Sequence, residues 1–467
     1  MEKNFLKGKK ILVTGHHLEQ KEHRGMASVT KSLIRLLRKY GSEVYLITGF
    51  NLLKFVKYTK NYKDKNSTYE INISDIKLIF ENGKNDRELF QNSFIFKFKL
   101  FFELLINLFE LFTNKFIFKS KFFKIKKDNK SFNKFDTRTG FLEDINGFYY
   151  IKNIFHICRL RSMRFLMKDP ILNINKKDID LIISSSPLSL IHKGKENAEI
   201  IQLIHDAIPI QGKTLENPKI FFNRLLDAHN NCRCVYVSQD SRRVVLKILN
   251  IKNKKYSNSI INPLPSLKIP ALKKVCDESS VRSIKKPFIL LNSSIVEYKK
   301  IENAINYFKN SNLPKRNFLL CVAGKLHDSK YCKFIKEICR ENKNILLLDY
   351  VNEIEKTWLF LNSSLLISTS STEGFGIPLL DALSINLTAI ATDIPSHREI
   401  KSINSNNKIK LIKENDHKTW ITNLNRIKIF DIKNKDLKLD RTDYFKKFIK
   451  DYEKNIFIKL QKLIDED

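Results

Sequence analysis

Short apolar runs that alternate with amphipathic helical stretches constrain this chain more than any other feature of its sequence. KILVT, at residues 10–14, is followed by the polar loop GHHLEQKEHRGMAS, by VTKSLIRLLRKYG and then by EVYLIT. Val29, Leu33, Leu36 and Leu37 fall at helical spacing, and Gly41 closes the helix because glycine enters the left-handed conformation that ends helices. A strand, a helix and a second strand in that order open a doubly wound parallel sheet, since parallel neighbours need a crossover between them.

The alternation resumes near residue 178, with IDLIISSSP and EIIQLIHDAIP as strands and CVYVSQDSRRVVLKIL as a strand leading into a helix capped near Ser238. It restarts after the Pro- and Lys-rich stretch IINPLPSLKIPALKKVCDESSVRSIKKP. FILLNSS, NFLLCVAG, NILLLDYV, LLIST and TAIATD then read as strands separated by helices. A chain of 467 residues with 42% hydrophobic content can bury more than one core. The expected organisation is an N-terminal Rossmann-like domain over 1–265 with a Lys/Phe-rich insert at about 51–177, and a linker over 266–285. A second Rossmann-like domain follows over 286–440, and a charged helix over 441–467 is positioned to pack back on the first domain.

Within the insert, the stretch from Phe94 to Lys127 places Phe98, Phe101, Phe102, Leu105, Phe109 and Phe112 on one face of a helix. Charges interrupt it too often for a bilayer span, but an aromatic face flanked by lysines suits the surface of an anionic membrane. Packing of that face on its own domain is the alternative. The formal charge of +34 would steer the protein toward polyanions, yet lysine is spread through the whole sequence. No zinc finger, helix-turn-helix or aromatic-basic RNA motif is legible, so nucleic acid is the weaker partner reading. Seven cysteines include no CxxC pair, and Cys232 and Cys234 have no matching second pair, which points to reduced thiols and no zinc site. His16, His17 and His23 lie in one loop without a metal-binding pattern. A cytoplasmic protein is expected, at the inner face of the plasma membrane if the insert meets lipid.

The chemistry concentrates in STEGFGIPLLDALSINLTAIATDIPSHREI, Ser371 to Ile400. The strand LLIST ends in a polar loop, and a helix starts at about Ile377 with Pro378 in its first turn. Free N–H groups at such a helix start make an anion site, and Gly374 and Gly376 leave room for a ligand against the backbone. Glu373 and Asp381, about two turns apart, offer carboxylates that accept hydrogen bonds from hydroxyl groups.

This stretch resembles the donor-site signature of the GT4-like (group 1) glycosyltransferases of the GT-B fold. That signature is a Glu, seven residues and a second acidic residue, with E-G-F-G-[IL]-P inside and a Pro and a Glu downstream. Here they are Glu373, Gly374, Phe375, Gly376, Ile377, Pro378, Asp381, Pro395 and Glu399. LIHDAIP, with His205 and Asp206, is similar to the family's H-D-x-x-P segment, and VSQDSRR, with Ser238, Ser241, Arg242 and Arg243, to its S-x-x-S-R-R segment. SSIVEYKKIENAINYF resembles the family's helix start that carries the diphosphate-neutralising lysine, here Lys299, and Arg24 and Gly25 correspond to its glycine-bearing N-terminal loop.

The resemblance implies transfer of a sugar from a nucleotide-sugar donor to a glycan or glycolipid acceptor, with retention of configuration and neither metal nor other cofactor. It implies that Lys299, helped by Lys300, the helix start at Gly376 and Gly25, neutralises the leaving diphosphate. Glu373, with Gly374, Phe375, Gly376 and Ile377, would hold the sugar, Asp381 the ribose, and His205 would reach the reacting sugar from across the cleft. Asp381 stands where the family usually has Glu, Ser293 and Tyr298 where it often has a basic residue or glycine, and Asn386 where it has glycine. A binding or scaffold protein that has kept the fold without catalysis, or a basic nucleic-acid-binding protein, are the alternatives.

Overall fold

The computed structural model describes residues 6–20, 23, 25–54, 69–82, 117–126, 138–166, 168–212, 214, 216–251, 259–269, 280–404, 408–428 and 435–465. In the first half lie β1 (Lys10–Thr14), α1 (Gly25–Lys39), β2 (Glu43–Thr48), β3 (Tyr69–Asn72), α2 (Ile73–Asn82), β4 (Ile117–Phe118) and β5 (Ser120–Lys126). They are followed by β6 (Gly147–Ile151), α3 (Ile154–Ser162), β7 (Ile171–Leu172), β8 (Leu181–Ser184), β9 (Glu199–Ile204), α4 (Pro218–Asn231), β10 (Arg233–Tyr236) and α5 (Gln239–Ile248). Eight of these strands form one sheet in the order β10-β9-β8-β1-β2-β6-β5-β3, while β4 and β7 pair with each other.

The second half contains β11 (Phe288–Asn292), α6 (Ile301–Lys309), β12 (Leu319–Ala323), α7 (Lys330–Arg340), β13 (Ile345–Asp349), α8 (Glu353–Asn362) and β14 (Leu365–Ser368). Next come α9 (Ile377–Ser384), β15 (Ala389–Thr392), α10 (Pro395–Ile403), β16 (Ile409–Ile412), α11 (His417–Asn425) and α12 (Lys435–Asp465). Its sheet runs β13-β12-β11-β14-β15-β16. Counted within the domain this is the order 3-2-1-4-5-6, the doubly wound arrangement in which ligands bind at the carboxyl ends of the strands where the order reverses. The first sheet repeats that order from β6 to β10 and adds β5 and β3 at its edge. Strands such as Leu181–Ser184 and Ala389–Thr392 are buried along their whole length, as strands covered by helices on both faces must be.

The sheet edge departs from what the sequence suggests. The residues proposed as an aromatic helix face, Phe98 to Phe112, lie outside the described residues. The last part of the same Lys/Phe stretch is β5, which runs antiparallel to β6 and buries Phe123 and Ile125 while its lysines face outward. A two-residue alternation, buried against exposed, decides strand over helix there. The insert therefore contributes β3, β5 and β6 to the main sheet.

α12 joins the two domains. Arg441 Nη1 donates to the carbonyls of Phe360, Leu361 and Ser363 at the end of α8, where a helix leaves acceptors unpaired. Further along, Glu453 pairs with Arg35 and Lys39 of α1, and Phe457 stacks on Tyr40 with ring centroids 3.7 Å apart. A buried ion pair, Lys31 Nζ to Glu353 Oε1 at 3.0 Å, links α1 to α8 directly.

Candidate active site

The loop between β14 and α9 is stitched to the turn before α6. Thr369 Oγ1 lies 3.0 and 2.8 Å from the carbonyls of Lys299 and Lys300, and the Ser371 amide donates to the Tyr298 carbonyl at 2.8 Å. Lys300 takes a left-handed backbone, φ 50, that turns the chain into α6. These bonds bring Lys299 Nζ to 2.5 Å from Glu373 Oε1, which also accepts from Ser370 Oγ at 2.8 Å. Both side chains are only 11% exposed. Burial disfavours charge on each, but the two opposite charges outweigh it: Glu373 is held below the usual carboxylate range and Lys299 above the usual amine range. Lys299 also lies over the Tyr298 ring, 5.0 Å from its centroid.

Gly376 has φ 100, a conformation that side chains rarely adopt, and it is the residue from which α9 starts. The N-terminus of α1 meets that of α9, because a Cβ added to Gly25 would sit 3.8 Å from Ile377 Cδ1. Two positive helix ends, one from each domain, thus converge beside Lys299 and Glu373, a field that favours a diphosphate. Phe375, in contrast, is buried in the core and 3% exposed, so its side chain supports the loop from behind.

Across the cleft, β9 delivers His205, whose Nε2 lies 2.7 Å from the Ser185 carbonyl, and burial depresses its pKa. β10 delivers Ser238, the N-cap of α5. What approaches Gly374 is not open ligand space, as the sequence suggests, but the N-terminal domain: a Cβ at Gly374 would lie 2.6 Å from the His205 carbonyl and 3.2 Å from Asp206.

Asp381, which the resemblance assigns to the ribose, is engaged by the protein itself in this structure. It is 1% exposed, and its two oxygens accept from the amide of Ser266 at 2.6 Å and from the Ser266 hydroxyl at 2.5 Å, with Lys356 Nζ 4.0 Å away. Burial raises its pKa against those partners. Both oxygens of the shorter aspartate are satisfied by the interdomain segment, as buried polar atoms generally are.

Sequence reasoning missed three groups. Ser266 and Lys356 carry no motif of their own. His397, fully buried, donates from Nδ1 to the Thr392 carbonyl at 2.8 Å, and its Nε2 has no partner among the described residues. That ring packs 3.2 Å from where a Cβ of Gly376 would be, and burial lowers its pKa although the nearby Glu373 carboxylate opposes the shift. The SHRE run beside the signature could have drawn notice, although a buried histidine on a helix most often packs. His16, His17 and His23 do not converge on a metal-like set, and no such set of His, Cys, Asp or Glu exists among the described residues.

Residues 276–438 match the family described as glycosyl transferases group 1. This stretch is a group 1 glycosyltransferase domain. The domain makes the chain a glycosyltransferase, and its boundaries contain Lys299, Glu373 and the α9 helix start. Among solved structures the chain is similar to TarM of S. aureus, with 16% identity, coverage of 98% of this chain and 99% of that one, and a TM-score of 0.51. That TarM structure is of a mutant in complex with Fondaparinux, alpha-GlcNAc-glycerol and UDP. HepE of Anabaena, in complex with UDP and glucose, matches at 10% identity over 98% and 100% of the chains, TM-score 0.51. Sucrose-phosphate synthase of Thermosynechococcus elongatus matches at 10% over 98% of each, TM-score 0.50. At such identities the likeness is one of fold, and the fold is GT-B. No curated protein matches the sequence.

Proposed function

We propose that this glycosyltransferase moves a sugar from a nucleotide-sugar donor, with retention of configuration and without a metal ion, to a glycan or glycolipid acceptor in cell-surface polysaccharide synthesis. The observation that carries the reading is the buried Lys299–Glu373 pair at the meeting point of the α1 and α9 N-termini. A cation, two positive helix ends and a poised carboxylate supply leaving-group stabilisation and sugar hydroxyl recognition at one place. On this reading Lys299 exchanges Glu373 for the incoming diphosphate, with Lys300 and Gly25 beside it. Glu373, freed, accepts from sugar hydroxyls near the backbone of Gly374 to Ile377. His205 faces the same space from the other domain.

No helix among the described residues is long and apolar enough to cross a membrane. A lipid-linked acceptor would then be met at the inner face of the membrane, where a charge of +34 favours anionic headgroups.

The test is thermal unfolding with UDP, GDP, ADP and their common sugar conjugates, with EDTA and with magnesium in parallel. One nucleotide family should raise the melting temperature equally under both conditions, because a ligand that binds only the native state stabilises it. Lys299→Ala should lose that rise. No shift with any nucleotide, or a shift only with magnesium, would overturn the reading.

A further inference from the structure

We infer that Ser238 and Ser241 are positioning residues for the transfer: together they form a latch from the N-terminal domain onto the carbonyl of Gly374 that sets the Glu373 loop. The inference rests on the proposed role of Glu373 in holding the donor sugar. Ser238 Oγ lies 2.6 Å and Ser241 Oγ 2.7 Å from the Gly374 oxygen. A carbonyl oxygen has two lone pairs, and both face hydroxyl donors from the other domain. Ser238 Oγ serves twice, because it accepts from the Ser241 amide at 2.9 Å as the helix cap and donates its proton to Gly374. Ser241 Oγ is also 2.6 Å from the His205 carbonyl, so its single proton is shared between the two domains.

Helix capping alone does not account for this arrangement. A cap needs only one hydroxyl that faces its own helix, whereas here two hydroxyls aim outward at one atom more than 130 positions along the chain. The glycine is matched to them, since any Cβ at 374 would push the His205 carbonyl away and open the contact. A second pin holds the same helix start: Glu399 of α10 accepts from the Gln239 amide at 2.9 Å and from Asn262 Nδ2 at 3.1 Å. A carboxylate at a helix N-terminus is favoured there by the unpaired amides and the dipole.

Gly374 follows Glu373 directly, so bonds that hold the Gly374–Phe375 peptide plane anchor the Gly374 Cα, the neighbour of the Cα from which the Glu373 side chain extends. The donors reach Gly374 only when the two domains are closed on each other. The latch therefore ties the relative placement of the two domains to the shape of the sugar-holding loop.

The test uses the full chain with Ser238→Asp combined with Ser241→Ala. Aspartate keeps the cap, being a good N-cap residue, but turns a carboxylate toward the Gly374 carbonyl. In the ligand-free protein, hydrogen exchange of the amides of residues 371–376 should quicken by about tenfold or more, because both hydroxyl bonds to the Gly374 carbonyl are lost, while those of residues 243–248 stay unchanged. With UDP-N-acetylglucosamine and UDP-glucose as donor probes, kcat should fall about 10–100-fold with donor KM within about threefold, the pattern of a lost positioning contact. Ser238→Thr, which keeps the hydroxyl, should restore both. Unchanged exchange in 371–376, or wild-type kcat in the double variant, would overturn the latch. If the wild type turns over neither probe and binds no nucleotide, the proposed function fails instead, and the exchange experiment still decides the latch.

Discussion

Glu373 and Asp381 stand eight residues apart in one signature, yet the protein treats them in opposite ways. Glu373 sits at the cleft against a lysine and a serine hydroxyl, and its carboxyl is held below the ordinary range. Asp381 sits within α9 against a backbone amide, a hydroxyl and a more distant lysine, and its carboxyl is raised. On the proposed reading, the first is a charge whose partner is exchanged for a ligand. The second is a strut that fastens the segment between the domains to α9. Sequence spacing puts both on one helix start, but the partner within reach decides what each does.

The largest effect should come from breaking the first site. Lys299→Ala leaves the Glu373 carboxylate buried without its cation, which costs on the order of 3–5 kcal/mol of stability. Lys299→Ala with Glu373→Ala should recover most of that loss in thermal or denaturant unfolding while remaining inactive. Glu373→Ala alone leaves Lys299 buried without its carboxylate, so it should lose stability on the same order, and the folded fraction should show kcat lowered by on the order of 10²–10³-fold, as removal of a transition-state contact does. Equal turnover by the Glu373→Ala protein would remove it from the site.

Asp381→Ala should give the reverse pattern. It strands the Ser266 amide and hydroxyl in a buried place, at a cost of about 1–3 kcal/mol in stability. Its affinity for nucleotide, measured by calorimetry, should stay within about threefold of wild type, a difference worth less than ~0.7 kcal/mol. A large loss of nucleotide affinity with unchanged stability would return Asp381 to the ribose.

How far these roles could be read from the sequence follows from where each partner lies. Alternating apolar runs announce both sheets, because strands buried on both faces and helices of one turn repeat leave a periodic signal. Glu373 is legible in the polar loop and helix start that follow a strand, and Lys299 through the resemblance of its segment to the family's helix start. The Asp381 partner is 115 residues away in a linker with no periodicity, so the sequence offers the carboxylate but not its bond. Gly374 is similar: its lack of a side chain is visible, while the reason for it is the His205 carbonyl of the other domain. β5 was hidden by its neighbours, since its alternation of Phe and Lys continues a stretch whose earlier residues fit a helical period.

The smallest expected effect sharpens the comparison from the facing domain. Asp206, across from Glu373, accepts from the Ile208 amide at 2.9 Å, but burial pushes its carboxyl from 3.8 up to about 6, with Lys299 nearby opposing the rise. A carboxyl whose folded pKa lies above its unfolded value binds its proton more tightly in the folded protein, so stability falls as pH rises from about 4 to about 6 and stays lowered above that. Asp206→Asn keeps the oxygen that accepts from Ile208 and removes the buried charge. It should therefore raise stability at about pH 7.5 by about 1 kcal/mol, a figure reduced for the partial exposure of the residue. Near pH 4 the gain should vanish, because both the wild-type carboxyl and the amide are then neutral in the folded state. Urea unfolding at the two pH values reads the difference directly. A gain of equal size at both would mean that Asp206 is not the group that burial titrates, and that the charge opposite Glu373 is as well compensated as Glu373 itself.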